Sequence, residues 1–412
     1  MATAPATTEV YDVANDTAGN SFLVGSFAGT VQIGTVVLSS SGNTDFDGFV
    51  VKLAPTGAVV WAKRHGGPGS QSTSTVSVDP AGNVLVGGAT CGSVDFGGGV
   101  AASSTCTGTA PTDGFIAKLS STNGAASWAL GVAEYLSREV VADANGVYVL
   151  SADRPFPLSD PWPMRLRKYS ASGALLWTYQ PNGLVNVEDV ELTSSGQVWL
   201  AGYLDGNTIQ FATGSKTSTD SATFLARLDA DGNESFVEVF GDGANWPTDI
   251  VRDESGGVYI TGGYVSATNL GGVVLPAFGG TDAFIAHLGA SAQHLWSRGY
   301  GSGANEAGGG VARLSDGSVV WVGASEGTLD FGVGSHVPVG GSDVFVVRLS
   351  PTGDTIWSRY LGGAGDDRLT AVAVAPGDDF VAVGTTDGQI NLGGGLLFPS
   401  DGVEGMAVRL GP

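Results

Sequence analysis

Seven apolar runs mark the chain at regular intervals: Ser21 (SFLVG), Val84 (VLVGG), Val147 (VYVLS), Val198 (VWLAG), Val258 (VYITG), Val319 (VVWVG) and Phe380 (FVAVG). Most carry glycine at the fifth position, and the spacing stays near 60 residues. A fixed period of that size predicts repeated supersecondary units packed against one another, since one unit alone cannot bury its own faces. The runs lack period-two alternation, so each reads as a strand covered on both faces. A second signal follows each run: Asp47-Gly-Phe-Val-Val-Lys-Leu53, Asp113-Gly-Phe-Ile-Ala-Lys-Leu119, Asp282-Ala-Phe-Ile-Ala-His-Leu288 and Asp343-Val-Phe-Val-Val-Arg-Leu349, with looser copies ending at Tyr169, Leu228 and Leu410. This is a third strand.

A first strand is predicted just before each apolar run, as in Ser77 to Asn83, Ile250 to Gly257 and Val311 to Ser318, each ending in hairpin-turn residues. After the third strand a tight turn (APTGA, SPTGD) leads to a fourth. That strand carries an aromatic at a nearly constant offset: Trp61, Trp128, Trp177, Phe236, Trp296 and Trp357. These aromatics read as core, each worth on the order of 2 kcal/mol when buried. The prediction is all-β: one seven-bladed β-propeller domain over residues 1–412, its units at approximately 10–72, 73–137, 138–185, 186–245, 246–305, 306–367 and 368–412. The seventh unit reaches Pro412 just after its third strand, so the last blade is expected to be incomplete or closed by the N-terminus, as in a segment trimmed from a longer protein.

Composition agrees, with 66 glycines in 412 residues and 14% charged residues. The net charge of −22 disfavours nucleic acid and anionic membrane surfaces as partners. No stretch is long and apolar enough to span a bilayer as a helix. The start, MATAPATTEV, lacks the basic and apolar regions of a secretory signal, so an exported form has lost its signal. Cys91 and Cys106 are the only cysteines, and a disulfide between them across one connection is expected in an oxidising compartment.

The Asp-x-Phe-Val-x-Lys-Leu, Gly-x-x-x-Trp and Asp-x-x-Gly-Asn elements resemble the seven-bladed β-propeller repeat (SBBP) family of bacterial secreted and surface proteins, over nearly the whole chain. The resemblance implies an extracellular or cell-surface scaffold or adhesion module within a larger protein or assembly.

Alternating strand directions put the long two-to-three and four-to-one connections on one face, where loops vary and recognition is expected. Tyr135, Arg138, Arg154, Phe156, Trp162, Arg165 and Trp246 are the candidate binding residues there, as aromatics beside arginines. The alternative is that unit three has decayed and its prolines fill a gap. A protein or glycan partner is expected, without chemistry. The rival readings are a lectin using Trp162 and Trp246, and a hydrolase or lyase with carboxylates and histidines at a central opening. Catalytic and metal motifs fall short. Gly323-Ala-Ser325-Glu-Gly327 matches G-x-S-x-G without a following helix. His65 and His336 stand apart, whereas His287 and His294 flank one hairpin with no carboxylate at zinc-ligand spacing. Asp229-Ala-Asp231-Gly-Asn233 lacks the later Glu of a calcium loop, and Asp366 with Asp367 offers at most a weak Ca²⁺ site. No cofactor is expected.

Overall fold

The structure, a computed structural model, describes residues 7–42, 45–103, 113–132, 136–152, 164–183, 185–241, 243–392, 396–397 and 403–411. It is all-β: seven antiparallel sheets in chain order, the blades of a seven-bladed β-propeller. Sheet one runs Thr7–Asn15, Ser21–Ala28, Asp47–Leu53, Val59–His65, each strand bonded to the next, and sheets two to six repeat that order. Sheet six gains two short strands, Ile390–Asn391 and Leu396–Leu397, against its own fourth strand Thr355–Gly363. Sheet seven has three described strands, Asp367–Val374, Phe380–Thr386 and Glu404–Leu410. The chain divides into two compact units, residues 1–180 with 373–385 and 399–412, and residues 181–372 with 386–398.

The repeated residues explain themselves within each unit. Second strands such as Val84–Thr90, Val258–Tyr264 and Val319–Ser325 are buried along their whole length, which is why they do not alternate. The first strands of sheets one to six each carry a register shift (as between Val10 and Asp12, Thr73 and Thr75, Pro247 and Asp249), an extra residue that bends the strand. The fifth-position glycine lies beside that bulge. A Cβ on Gly262 would run into the Trp246 carbonyl oxygen and meet the Phe284 ring at 2.8 Å. Gly25 and Gly88 stand the same way against Phe49 and Phe115. The Asp-x-Phe phenylalanine therefore packs on the surface that the missing side chain leaves.

The basic position of the third strand is also structural. It reaches the aspartate of the one-to-two turn: Lys118 Nζ to Asp79 at 2.7 Å, His287 Nε2 to Asp253 at 2.8 Å, Arg348 to Asp316 at 2.8 Å and Arg409 to Asp379 at 3.2 Å. The fourth-strand tryptophans cap the three-to-four turn of the following sheet. Trp61 Nε1 donates to Ser121 O (3.1 Å), Trp128 Nε1 to Ala171 O (3.1 Å) and Trp296 Nε1 to Pro351 O (2.8 Å).

First strands begin about five residues earlier than the sequence pattern suggests: Gln71–Val78, Asn245–Arg252 and Glu306–Arg313. They are joined from sheet to sheet by side chains that accept the next first strand's N–H groups. Asp12 accepts from Val76 (2.7 Å), Thr75 from Val140 (3.1 Å), Asp189 from Ile250 (2.8 Å) and Asp249 from Val311 (2.6 Å).

Candidate functional site

The two-to-three connections of sheets five and six carry the most notable surface chemistry. Val273 is 78% exposed, Phe278 53%, Val337 67% and Val339 77%, with Val265, Val274 and Val333 also open to solvent. Such side chains come from an apolar sequence, so burial is the state their composition favours. Each connection has buried feet beneath its exposed tips. In sheet five, Leu270 and Leu275 are buried, Thr268 and Leu275 exchange backbone hydrogen bonds (3.1 and 2.7 Å), and Tyr264 Oη donates to Pro276 O (3.0 Å). The Phe278 N–H is held by Asp282 Oδ2 at 2.7 Å.

Sheet six repeats the plan with a short hairpin, Leu329–Asp330 against Ser335–His336. Leu329 and Phe331 point into the core. His336 stacks on Tyr360, rings 5.0 Å apart and 3° from parallel, with Nε2 2.8 Å from Ser358 Oγ. Val339 N–H is held by Asp343 Oδ2 at 2.6 Å, the same device as at Phe278. Asn305 ties the two connections together: its Oδ1 accepts from Thr281 N–H (3.2 Å) and its Nδ2 donates to Glu326 (2.8 Å). The result is a fixed pair of loops presenting apolar tips.

Trp246, read from sequence as a loop anchor, is a strand residue opposite Gly263. Its half-buried indole lies against the positions of Gly263 and Thr281, at the rim of the sheet-five connection. Arg138 and Arg165 lie in sheet three, where Ser151 pairs with Ser137 on one side and Arg165 on the other, so the structure brings these two to one end of the sheet. Arg165 Nε donates to Gln180 Oε1 at 2.9 Å. Tyr135, Arg154, Phe156 and Trp162 lie outside the described residues, as does Cys106, while Cys91 is buried.

Other candidates dissolve into structure. His287 pairs with Asp253 and stacks on Tyr259 (4.0 Å), whereas His294 Nε2 lies 3.1 Å from Ser297 Oγ, so the two histidines serve separate partners. Burial works against ionisation of Asp253, but the His287 hydrogen bond and those of Ser255 and Gly257 hold it below its ordinary range. Asp229 accepts N–H bonds from Asp231 and Asn233, the pattern of a hairpin turn. Asp366 accepts from Ser342 N–H and Asp367 from Gly363 N–H. Ser325 closes a strand with its hydroxyl on Gly327 O. Among the described residues, no group of three or more His, Cys, Asp or Glu could hold a metal.

Sequence reasoning missed a polar cavity of about 620 Å³ on the short-turn side of sheets four to six, where Glu191, Arg227, Arg252, Glu254 and Arg313 converge. Its arginines are engaged: Arg252 with Glu191 (3.4 Å), Arg313 with Glu254 (3.1 Å), and Arg227 donating to Ala290 O. Burial pushes Glu191 up to about 8 against the pull of Arg252. A quarter of its side chain still meets solvent (24%), so water screens part of that effect. The recurrence of arginine at the end of successive first strands, Arg252 and Arg313, was the legible signal. Nearby, burial also holds Asp189 above the usual carboxylate range, and it shares a hydrogen bond with Asp249.

No family model matches the chain. A stretch of 121 residues is 36% identical to regulatory protein FlaEY of Caulobacter vibrioides, covering 24% of this chain and 12% of that protein. Similar solved structures include Sqt1 from Chaetomium thermophilum (11% identity, 97% of this chain and 87% of that one, TM-score 0.47). Another is the β-propeller domain of the Trilobed protease from Pyrococcus furiosus (8%, 96% and 98%, 0.43). At such identities the likeness concerns fold alone.

Proposed function

We propose that the chain is a non-enzymatic binding or scaffold propeller that engages a macromolecular partner through the long connections of sheets five and six. The observation carrying this reading is the pair of tied connections with buried feet and exposed tips at Val273, Phe278, Val337 and Val339. Apolar tips held in place lose little entropy on binding and gain from the water they shed. The carboxylates that a hydrolase or lyase would need at the first strands are occupied by backbone N–H groups of neighbouring sheets, which favours the binding reading. An extracellular or surface setting, as in the propeller repeat family the sequence resembles, belongs to the same proposal, supported by the acidity and the two cysteines. Non-reducing peptide mapping tests the setting: a Cys91–Cys106 crosslinked peptide is expected, and free thiols at both positions would argue against it.

The test of the surface itself is a variant with Val273, Phe278, Val337 and Val339 all changed to Ser. These positions are solvent-facing, so its unfolding midpoint should move little, within about 0.5 kcal/mol per site. Immobilised wild type should retain proteins or glycans from an extract of its own cells that the variant does not retain. Equal retention by the two would sink the proposal.

A further inference from the structure

The basic position of the third strand has lost its carboxylate in sheet four. In other sheets that position reaches the aspartate of the one-to-two turn, as Lys118 reaches Asp79 and His287 reaches Asp253. Sheet four has Thr193 there: its N–H bonds Gln197 O just as Asp79 N–H bonds Asn83 O and Asp253 N–H bonds Gly257 O. Arg227, on the third strand Ser221–Leu228, therefore donates to uncharged groups, the Ser235 hydroxyl and the Ala290 carbonyl, and pairs with no carboxylate among the described residues. Its guanidinium is held over the Phe236 ring at 4.9 Å and the Trp199 ring at 5.6 Å.

That charge lines the polar cavity of about 620 Å³ together with Arg252 and Arg313. These two close the first strands of sheets five and six, at a position held by Asn15, Val78 and Leu192 in sheets one, two and four. The repeat does not need a guanidinium there. The carboxylates facing the two arginines hold them weakly. Glu254, 3.1 Å from Arg313, is 80% exposed, and a pair so placed contributes little. Glu191 lies 3.4 Å from Arg252, and burial pushes it up to about 8, so at neutral pH it carries only part of its charge. Exposed hydroxyls of Ser194 and Ser195 add donors to the same cavity. Three of the 18 lysines and arginines thus meet at one cavity of a protein whose net charge is −22.

We propose that this cavity binds a small polyanion, a molecule carrying two or more phosphate or carboxylate groups, with Arg227, Arg252 and Arg313 as donors and with Glu254 displaced from Arg313. The planar guanidinium fork suits both kinds of oxyanion, and the volume is in the range of small-ligand sites. The inference stands apart from the exposed tips of sheets five and six: it concerns the short-turn side and a small molecule.

Isothermal titration calorimetry of the whole protein at fixed ionic strength, with pyrophosphate and citrate as separate probes, tests it. Saturable binding of at least one is expected, and the tighter of the two identifies the oxyanion. Arg252→Gln, at a position 46% exposed, should weaken that binding at least ~10-fold, as for loss of a charge-assisted hydrogen bond. Glu254→Gln should tighten it several-fold by freeing Arg313, a gain that a damaged fold would not give. Lys216→Gln removes a positive charge from the long connection of sheet four, where Lys216 pairs with Glu238, and should change it by less than ~2-fold, since a distant exposed charge is screened. No saturable binding of either probe, weaker binding by Glu254→Gln, or equal weakening by Lys216→Gln and Arg252→Gln would overturn the proposal.

Discussion

His65 closes the fourth strand of sheet one with a ring 1% exposed, and neither ring nitrogen has a hydrogen-bond partner among the described residues. Its nearest ring is Phe96, 4.6 Å away. Burial, reinforced by Lys63 and weakly opposed by Asp95, lowers its pKa from 6.5 to about 3. The unfolded chain binds a proton as pH falls through 6.5, and the folded chain refuses it until about 3. The stability this group confers is therefore present above 6.5 and lost as pH falls towards 3. The loss runs at about 1.4 kcal/mol per pH unit, hence roughly 3 kcal/mol between pH 6.5 and 4. Replacement by leucine removes both unmatched nitrogens, whose burial costs on the order of 1–3 kcal/mol, at the expense of some contact with Phe96. His65→Leu should thus be about as stable as wild type or slightly more so at pH 7, and gain on it by about 3 kcal/mol at pH 4. Urea midpoints of both proteins at matched pH measure the difference, in which all other titrating groups cancel. Parallel curves from pH 7 to 4 would refute the reasoning.

Trp296→Ala removes a buried indole and its bond to Pro351 O; urea unfolding should show a loss of about 3–5 kcal/mol. Gly262→Ala drives a methyl into the Trp246 carbonyl and the Phe284 ring, and thermal unfolding should register a loss of at least about 1–3 kcal/mol. Asp189, whose pKa burial raises above its ordinary range, contributes stability at low pH that fades as pH rises through its folded value. Asp189→Asn should flatten that decline in a pH series of melting temperatures, and an unchanged slope would count against burial as the cause of the raised pKa.

How much of this was visible in the residues depended on whether a position repeats with a recognisable type. The second strands and the Asp-x-Phe strands announced themselves because burial on both faces demands continuous apolar runs. The first strands began early because Gln71 to Thr75 and Glu306 to Gly310 are Ser-, Thr- and Gly-rich, and their pairing comes from neighbouring backbones, not from apolar alternation. The short hairpins inside the long connections left no periodic trace, having two to four residues per strand. Trp246 looked like a loop anchor beside Gly and Pro but packs on Gly263. The tips at Val273, Val337 and Val339 left no such signal for the opposite reason: valine in a β-protein reads as core, whereas these side chains face water.

The central functional claim is that recognition uses the long-connection side of sheets five and six, and site-specific photocrosslinking addresses it most directly. A benzophenone side chain placed in turn at positions 278 and 337, and at 194 and 254 on the short-turn side, is irradiated in cells that make the protein. Crosslinked adducts concentrated at positions 278 and 337 are the predicted result; adducts concentrated at 194 and 254, or spread evenly over the four, would contradict it.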